Sequence, residues 1–145
     1  MEHRRILLID DSKNDVELIL AALRRLNVAD RVVVCRDGAD GLDYLHRQGS
    51  YTDRDPQPPG LVVLDIKMPR IGGLEVLRRI KSDAGLRSIP TVVLTSSRED
   101  QDILRSYEFG VNAYVVKPID SQEFVDAVHG LGAFWVELNQ PPPNF

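Results

Sequence analysis

Three acids and a lysine, each directly after a short apolar run, are the residues of this sequence best placed to do chemistry. Asp10 and Asp11 follow Ile6 to Ile9, Asp65 follows Leu61 to Leu64, and Lys117 follows Ala113 to Val116. A further run from Ile89 to Leu94, with Pro90 tolerated at its start, ends at Thr95, Ser96 and Ser97. If these runs are parallel strands of one sheet, their C-terminal ends share an edge, which is where open α/β sheets bind ligands. Three carboxylates within ~4–6 Å of one another repel, and their pKa values rise unless a cation is present. A hard divalent ion relieves this, and Mg²⁺ suits one or two carboxylates together with waters and a phosphate oxygen. The group therefore reads as a site for Mg²⁺ and a phosphoryl group. Asp65 is the candidate nucleophile, able to attack phosphorus and form an acyl phosphate. The ion and Lys117 would offset the charge on the transferring group, with Thr95 and Ser96 supplying hydroxyls nearby.

The elements that must position these residues are legible as periodicity. Uninterrupted Leu/Val runs such as 61–64 indicate strands buried on both faces, and Pro69, Gly72 and Gly73 end that strand in a loop. Ser12 can cap a helix striped by Val16, Ile19, Leu20, Leu23 and Leu26, with Asp15 completing a weaker capping box. Val32 to Cys35 is a short strand, Asp37-Gly38 a turn, and Ala39, Leu42 and Leu45 stripe a second helix. Leu74, Leu77 and Ile80 stripe a third, with Arg78, Arg79 and Lys81 expected on its solvated face. A polar helix over roughly 98–109 has Ile103 and Leu104 as its apolar anchors and Gly110 as its stop. Asp120 and Glu123 form a capping box before Phe124, Val128, Leu131 and Trp135. The loop over 49–60 is polar, proline-rich and longer than the ~2–6 residues usual for such a connection, so it is either disordered or used for something. Five strands alternating with five helices imply βαβ units, a parallel sheet and right-handed crossovers.

The totals narrow the function classes. At 145 residues the chain suits one domain with one core, and its 43% hydrophobic and 28% charged residues are ordinary for a globular protein. A net charge of −4 with no basic run argues against nucleic-acid binding. The single cysteine, Cys35, reads as a buried inert thiol in a strand. His3, His46 and His129 are unclustered, which argues against a histidine metal site. No apolar stretch approaches the ~18 residues that span a bilayer, and Met1 to Arg5 lead into a short strand and not a signal peptide, so a cytoplasmic location is expected.

The order and approximate spacing of Asp10-Asp11, Asp65, Thr95 and Lys117-Pro118 resemble those of the response-regulator receiver domain of two-component signalling. The resemblance covers roughly residues 5 to 130, with 131–145 a helix extension and proline-rich tail of the same single domain. It implies a flavodoxin-like, doubly wound five-stranded parallel sheet of order 2-1-3-4-5 with five helices. It also implies roles. Asp65 is the phosphoacceptor. Asp11 and Asp65 ligate Mg²⁺, or another divalent cation such as Mn²⁺, directly, and Asp10 does so mainly through water. The backbone carbonyl of Lys67 is the third protein ligand. Lys117 pairs with the phosphoryl oxygens, and its bond to Pro118 is expected to be cis. Thr95 donates its hydroxyl to the phosphoryl group, Ser96 can assist through its backbone amide, and Tyr114 is the aromatic switch. Lys67 and Ser97 stand where the family tunes its own dephosphorylation.

Function is then expected to be that of a stand-alone phosphorylation switch, phosphorylated by a sensor histidine kinase and read out through protein contacts. An intermediate in a phosphorelay or a phosphate sink is the alternative. The 49–60 loop and the tail with Phe134 and Trp135 resemble single-domain receivers that partner bacteriophytochromes. The surface of helix four, strand five and helix five, with Phe134 and Trp135 near its end, is the candidate homodimer face. An aspartyl phosphatase would need a second acid where Lys67 stands, and a flavin module would not place Asp10 and Asp11 at its phosphate loop.

Overall fold

Four- and five-residue apolar strands set the architecture. In the computed structural model, which describes residues 4–143, they are β1 (Ile6–Ile9), β2 (Val32–Cys35), β3 (Leu61–Leu64), β4 (Thr91–Thr95) and β5 (Ala113–Val116). All pair in parallel in the order β2-β1-β3-β4-β5, as expected. The register aligns Ile9 with both Cys35 and Leu64, so the residues after β1 and β3 emerge side by side. The five helices are α1 (Lys13–Arg24), α2 (Gly38–His46), α3 (Gly73–Ser82), α4 (Asp100–Glu108) and α5 (Ser121–Gly132). His3, Asn144 and Phe145 lie outside the described residues.

Period-two alternation divides the strand side chains between two cores. Leu7, Ile9, Val62, Leu64 and Val93 face α2 and α3, meeting Leu42, Leu45, Val76, Leu77 and Ile80. Ile6, Leu8, Leu61, Val63, Val92 and Leu94 face α1 and α5, meeting Val16, Ile19, Leu23, Phe124 and Val128. All eight residues of β1 and β3 are buried, which is why both read as continuous apolar runs and not as alternating ones. Truncating one of them, Leu64→Ala for instance, would cost about 2–5 kcal/mol.

Three helix starts follow the capping chemistry. The Asp15 amide donates to Ser12 Oγ, that of Asp40 to Asp37 Oδ1, and that of Glu123 to Asp120 Oδ1. Gly110, at φ +99°, ends α4 in the left-handed region that a glycine enters without steric cost.

Several expectations need correction. Ile103 and Leu104 do not anchor α4. Leu104 is 60% exposed, and the buried residues of that helix are Asp102 and Ser106. Both are held by hydrogen bonds that hydropathy does not register. Lys81 is not on a solvated face either; its ammonium donates to the carbonyls of Arg87 and Ile89 and to Asn112 Oδ1, and burial lowers its pKa to about 8. For residues 49–60, read as either disordered or used for something, the structure gives defined contacts. The Arg54 guanidinium lies 4.3 Å from the centre of the Tyr44 ring and donates to the carbonyls of Tyr44, Leu45, Asp55 and Gln57. Tyr51 pins the same loop to α2 by donating to Asp40 Oδ2 at 3.1 Å. The chain continues past α5 in a π-helical turn, Ala133–Leu138.

Candidate functional site

Asp10, Asp65 and Lys117 are the first residues beyond their strands, yet their amides still belong to the ladder. The Asp10 amide donates to Cys35 O, that of Asp65 to Ile9 O, and that of Lys117 to Thr95 O. The sheet therefore fixes all three backbones, and their side chains converge on the C-terminal edge.

Carboxylate oxygens of Asp10, Asp11 and Asp65 lie within 4.8 Å of one another. Asp10 and Asp65 are buried, while Asp11 is exposed at the mouth. The Asp65 side chain is oriented from two sides: Oδ1 accepts from the Ile66 amide at 2.7 Å and Oδ2 from Lys117 Nζ at 3.2 Å. Asp10 Oδ1 likewise accepts from the Ser12 amide at 2.9 Å. Lys117 Nζ, itself buried, also reaches Asp10 Oδ2 and Asp15 Oδ2, each at 2.8 Å. An ammonium has three protons, so Asp10, Asp15 and Asp65 can engage all of them.

One lysine does not neutralise the acids around it. Burial pushes the Asp10 carboxyl above its ordinary value even though Lys117 pulls it down. Burial would depress Lys117, but the hydrogen bonds to Asp10 and Asp15 outweigh it and hold the ammonium above its ordinary range. An all-oxygen donor set with surplus negative charge is what a hard divalent cation requires. Asp10, Asp11 and Asp65 form a divalent-cation site.

Gly73 brings α3 against this edge. A Cβ there would stand 2.0 Å from the Asp65 carbonyl oxygen. Thr95, the last residue of β4, is fully buried, and its Oγ1 accepts from the Ser97 amide at 3.4 Å. The Tyr114 ring is partly buried, and its hydroxyl donates to Ser97 O at 3.0 Å. Burial pushes that hydroxyl above its ordinary pKa. Lys67 is exposed and its ammonium is 3.5 Å from Asp102 Oδ2, while Ser97 Oγ donates to the same oxygen at 2.6 Å.

The Lys117–Pro118 bond is trans, as are all peptide bonds among the described residues, against the expected cis form. Lysine Nζ reaches its three acids from the trans backbone, so that placement does not require the other isomer. Two acids of the site carry no sequence signal of their place in it. Asp15 was visible only as the amide partner of Ser12, because a capping box does not say where the acid's own side chain points. Asp102 was hidden in a polar helix with no periodic signal. Cys35 is buried as expected, its thiol raised to about 12 mainly by burial. A cavity of about 670 Å³ lined by Arg5, Arg31, Tyr44, Tyr51 and Arg54 lies toward the other end of the sheet, since Arg5 and Arg31 precede β1 and β2.

Comparison with known proteins agrees with this geometry. The family model of the response regulator receiver domain matches residues 6–129. The response regulator Rcp1 of Synechocystis sp. is 37% identical over 132 residues, covering 91% of this chain and 88% of its own length. The crystal structure of the phosphorylated cyanobacterial phytochrome response regulator RcpA superposes with a TM-score of 0.91 at 38% identity, covering 97% of this chain and 99% of that one. The bacteriophytochrome response regulator AtBRR is 51% identical with a TM-score of 0.75, over 97% of this chain and 100% of that one. Rcp1 has also been crystallised with Mn²⁺, a structure matching at a TM-score of 0.91 and 35% identity over 97% of this chain and 99% of that one.

Proposed function

Since the chain belongs to the response regulator receiver domain family, we propose that Asp65 is its phosphoacceptor and that the molecule acts as a stand-alone phosphorylation switch. The observation that carries this is the convergence on Asp65 of two further acids and a buried lysine at one sheet edge.

Each residue then has a task. The Ile66 amide and Lys117 hold the Asp65 carboxylate in one orientation, so an oxygen can meet phosphorus without a search for its rotamer. That oxygen forms the new P–O bond as the bond from phosphorus to the donor breaks; with a phosphohistidine donor it is a P–N bond, and the imidazole leaves. Asp10, Asp11 and Asp65, with the Lys67 carbonyl, would hold a divalent cation, which would supply charge neutralisation to the transferring phosphoryl group. Mg²⁺ is the cation proposed, and Mn²⁺ would serve in its place. Lys117 exchanges part of its hold on Asp10, Asp15 and Asp65 for phosphoryl oxygens. Thr95 donates its hydroxyl to the same group. Its displacement is felt by Tyr114 through the Ser97 segment, where the Tyr114 hydroxyl is held. The chain is thus a phosphoacceptor that assists its own phosphorylation and dephosphorylation, with no separate substrate to turn over.

The kinase proposed is a sensor histidine kinase of the phytochrome or bacteriophytochrome type, because RcpA and AtBRR are described as phytochrome and bacteriophytochrome response regulators. We place residues 1–145 in one receiver domain, with output through protein contacts on the face of α4, β5 and α5. Leu104, Tyr107 and Ile119 are exposed there, which favours that face for a homodimer or other protein partner. No helix among the described residues is long and apolar enough to cross a membrane.

The test is direct. Incubation with acetyl phosphate and Mg²⁺ should add one phosphoryl mass to the intact protein, and Asp65→Asn should abolish the gain. Absence of any gain in wild type, or its persistence in Asp65→Asn, would refute the assignment.

A further inference from the structure

Asp102 is a buried acid that the phosphoryl chemistry above leaves unused, on the core side of a helix where an apolar anchor would be expected. A buried carboxylate persists only when its charge is paired and hydrogen-bonded. Asp102 has two such partners on one oxygen. The Ser97 hydroxyl donates to Oδ2 at 2.6 Å, and the Lys67 ammonium stands 3.5 Å from the same atom. Lys67 is two residues beyond Asp65, and Ser97 is two residues beyond Thr95. One carboxylate therefore gathers the side chains that follow both the phosphoacceptor and the hydroxyl. Ser97 O in turn accepts from the Tyr114 hydroxyl. A polar chain Lys67–Asp102–Ser97–Tyr114 runs from the loop after β3, through α4, to β5. The fields of Asp102, Lys67 and Asp65 all act on that tyrosine hydroxyl.

We propose that Asp102 is a positioning residue of the switch: it holds the Lys67 ammonium on the α4 side before phosphorylation and yields it to the phosphoryl group on Asp65 afterwards. The proposal rests on Asp65 being the phosphoacceptor. The contact is built to be lost. Its lysine side is 63% exposed and its distance is long, the conditions under which an ion pair is weak. A phosphoryl group brings about two negative charges to the residue two positions before Lys67 and outcompetes one carboxylate for the ammonium. Once Lys67 leaves, Asp102 keeps only the Ser97 hydroxyl as a side-chain partner, and the first turn of α4 loses part of what fixes it. Phosphorylation thus reaches α4 through Lys67 as well as through Thr95, the two inputs meeting at Ser97.

Competition for one ammonium implies a signed, Lys67-dependent effect. Asp102→Asn keeps an acceptor for Ser97 but removes the charge that retains Lys67, so the lysine is free to attract the anionic donor. Wild type, Asp102→Asn, Lys67→Met and the double variant are to be phosphorylated with acetyl phosphate and Mg²⁺ and followed by intact mass. Asp102→Asn should react about two- to fivefold faster, the range set by an exposed ion pair. The gain should vanish in the Lys67→Met background, and Asp102→Glu should restore the wild-type rate. In cation-free, unphosphorylated protein, Asp102→Asn and Lys67→Met should shift the same Ser97 and Glu99 amide resonances, since the Glu99 amide donates to Ser97 Oγ. The ε-methylene resonance of Lys67, followed in wild type, tests the point without an acid variant and should move on phosphorylation. An equal rate change with and without Lys67, a slower Asp102→Asn, or a Lys67 resonance unmoved by phosphorylation overturns the role of Asp102 alone. Failure of all four proteins to take up phosphoryl overturns the phosphoacceptor assignment and this proposal with it.

Discussion

Lys117→Met removes the one ammonium in hydrogen-bond contact with Asp10, Asp15 and Asp65 together. Breaking a buried ion pair by deleting one partner costs about 3–5 kcal/mol, because the remaining charge is left uncompensated. Here the loss is smaller: Asp15 is a quarter exposed, Asp11 opens to solvent, and a buried acid can take up a proton, so about 2–3 kcal/mol is expected. In a domain of this size that lowers the unfolding midpoint by roughly 5–10 °C. The same substitution also removes the competitor of a divalent cation for the carboxylate oxygens. A cation at about 100 times its Kd contributes about 2.7 kcal/mol to the folded state, enough to offset the loss. Thermal unfolding of wild type and Lys117→Met, each in chelator and in a Mg²⁺ series, is the assay. The variant should melt lower in chelator, gain more from Mg²⁺ than wild type, and respond at lower Mg²⁺. A variant as stable as wild type in chelator, with the same Mg²⁺ response, would refute the reading of Lys117 as a charge that offsets part of the acids' repulsion.

Three further outcomes follow from other contacts. Gly73→Ala would push a methyl group into the backbone of Asp65 and Ile66, so it should cost about 1–3 kcal/mol or more and abolish phosphorylation even where the variant folds, read by unfolding and intact mass. Lys81, with its pKa lowered to about 8, is neutral in the folded state at pH values where the unfolded chain still protonates it, so stability should rise between about pH 8 and its ordinary 10.5, by roughly 1–2 kcal/mol once solvent screening is discounted; a denaturant series across that range should show the rise in wild type and lose it in Lys81→Met. Phe134→Asp should reduce self-association in sedimentation, since the ring is 47% exposed, whereas Trp135→Ala should mainly lower the midpoint because Trp135 packs against the α1–α5 core; a monomeric wild type would set the dimer aside.

How much was legible in the sequence can be traced element by element. Strands buried on both faces must be apolar throughout, so β1 and β3 announced themselves, and the acids that follow them were placed at the edge by counting residues. Ser12 and Asp120 marked helix starts because a short side chain can satisfy the orphan amides of a first turn, whereas Asp37, legible only as part of an Asp-Gly turn, proves to cap α2 in the same way. The expectations about burial that failed concern helices. Leu104 looked like an anchor and is exposed, while Asp102 and Ser106, in a helix legible only as polar, are buried. Lys81 looked solvated and is tied to two carbonyls and an amide oxygen. Hydropathy scores a side chain alone, whereas Asp102 and Ser106 are buried, and Lys81 half-buried, because particular partners satisfy them.

The sequence by itself determined the parallel α/β sheet, the edge that bears Asp10, Asp11, Asp65, Thr95 and Lys117, and the chemistry those residues can do. These depend on residue type and on spacing along the chain. Only the tertiary structure decided that Asp15 joins the grip on Lys117 and that Asp102 links Lys67 to Ser97. It also split the end of the chain, setting Trp135 against the core and leaving Phe134 about half-exposed beside it. Those are contacts between side chains remote in sequence, fixed by how helices seat on the sheet, and helical periodicity records which face is apolar but not what a polar side chain on it will meet.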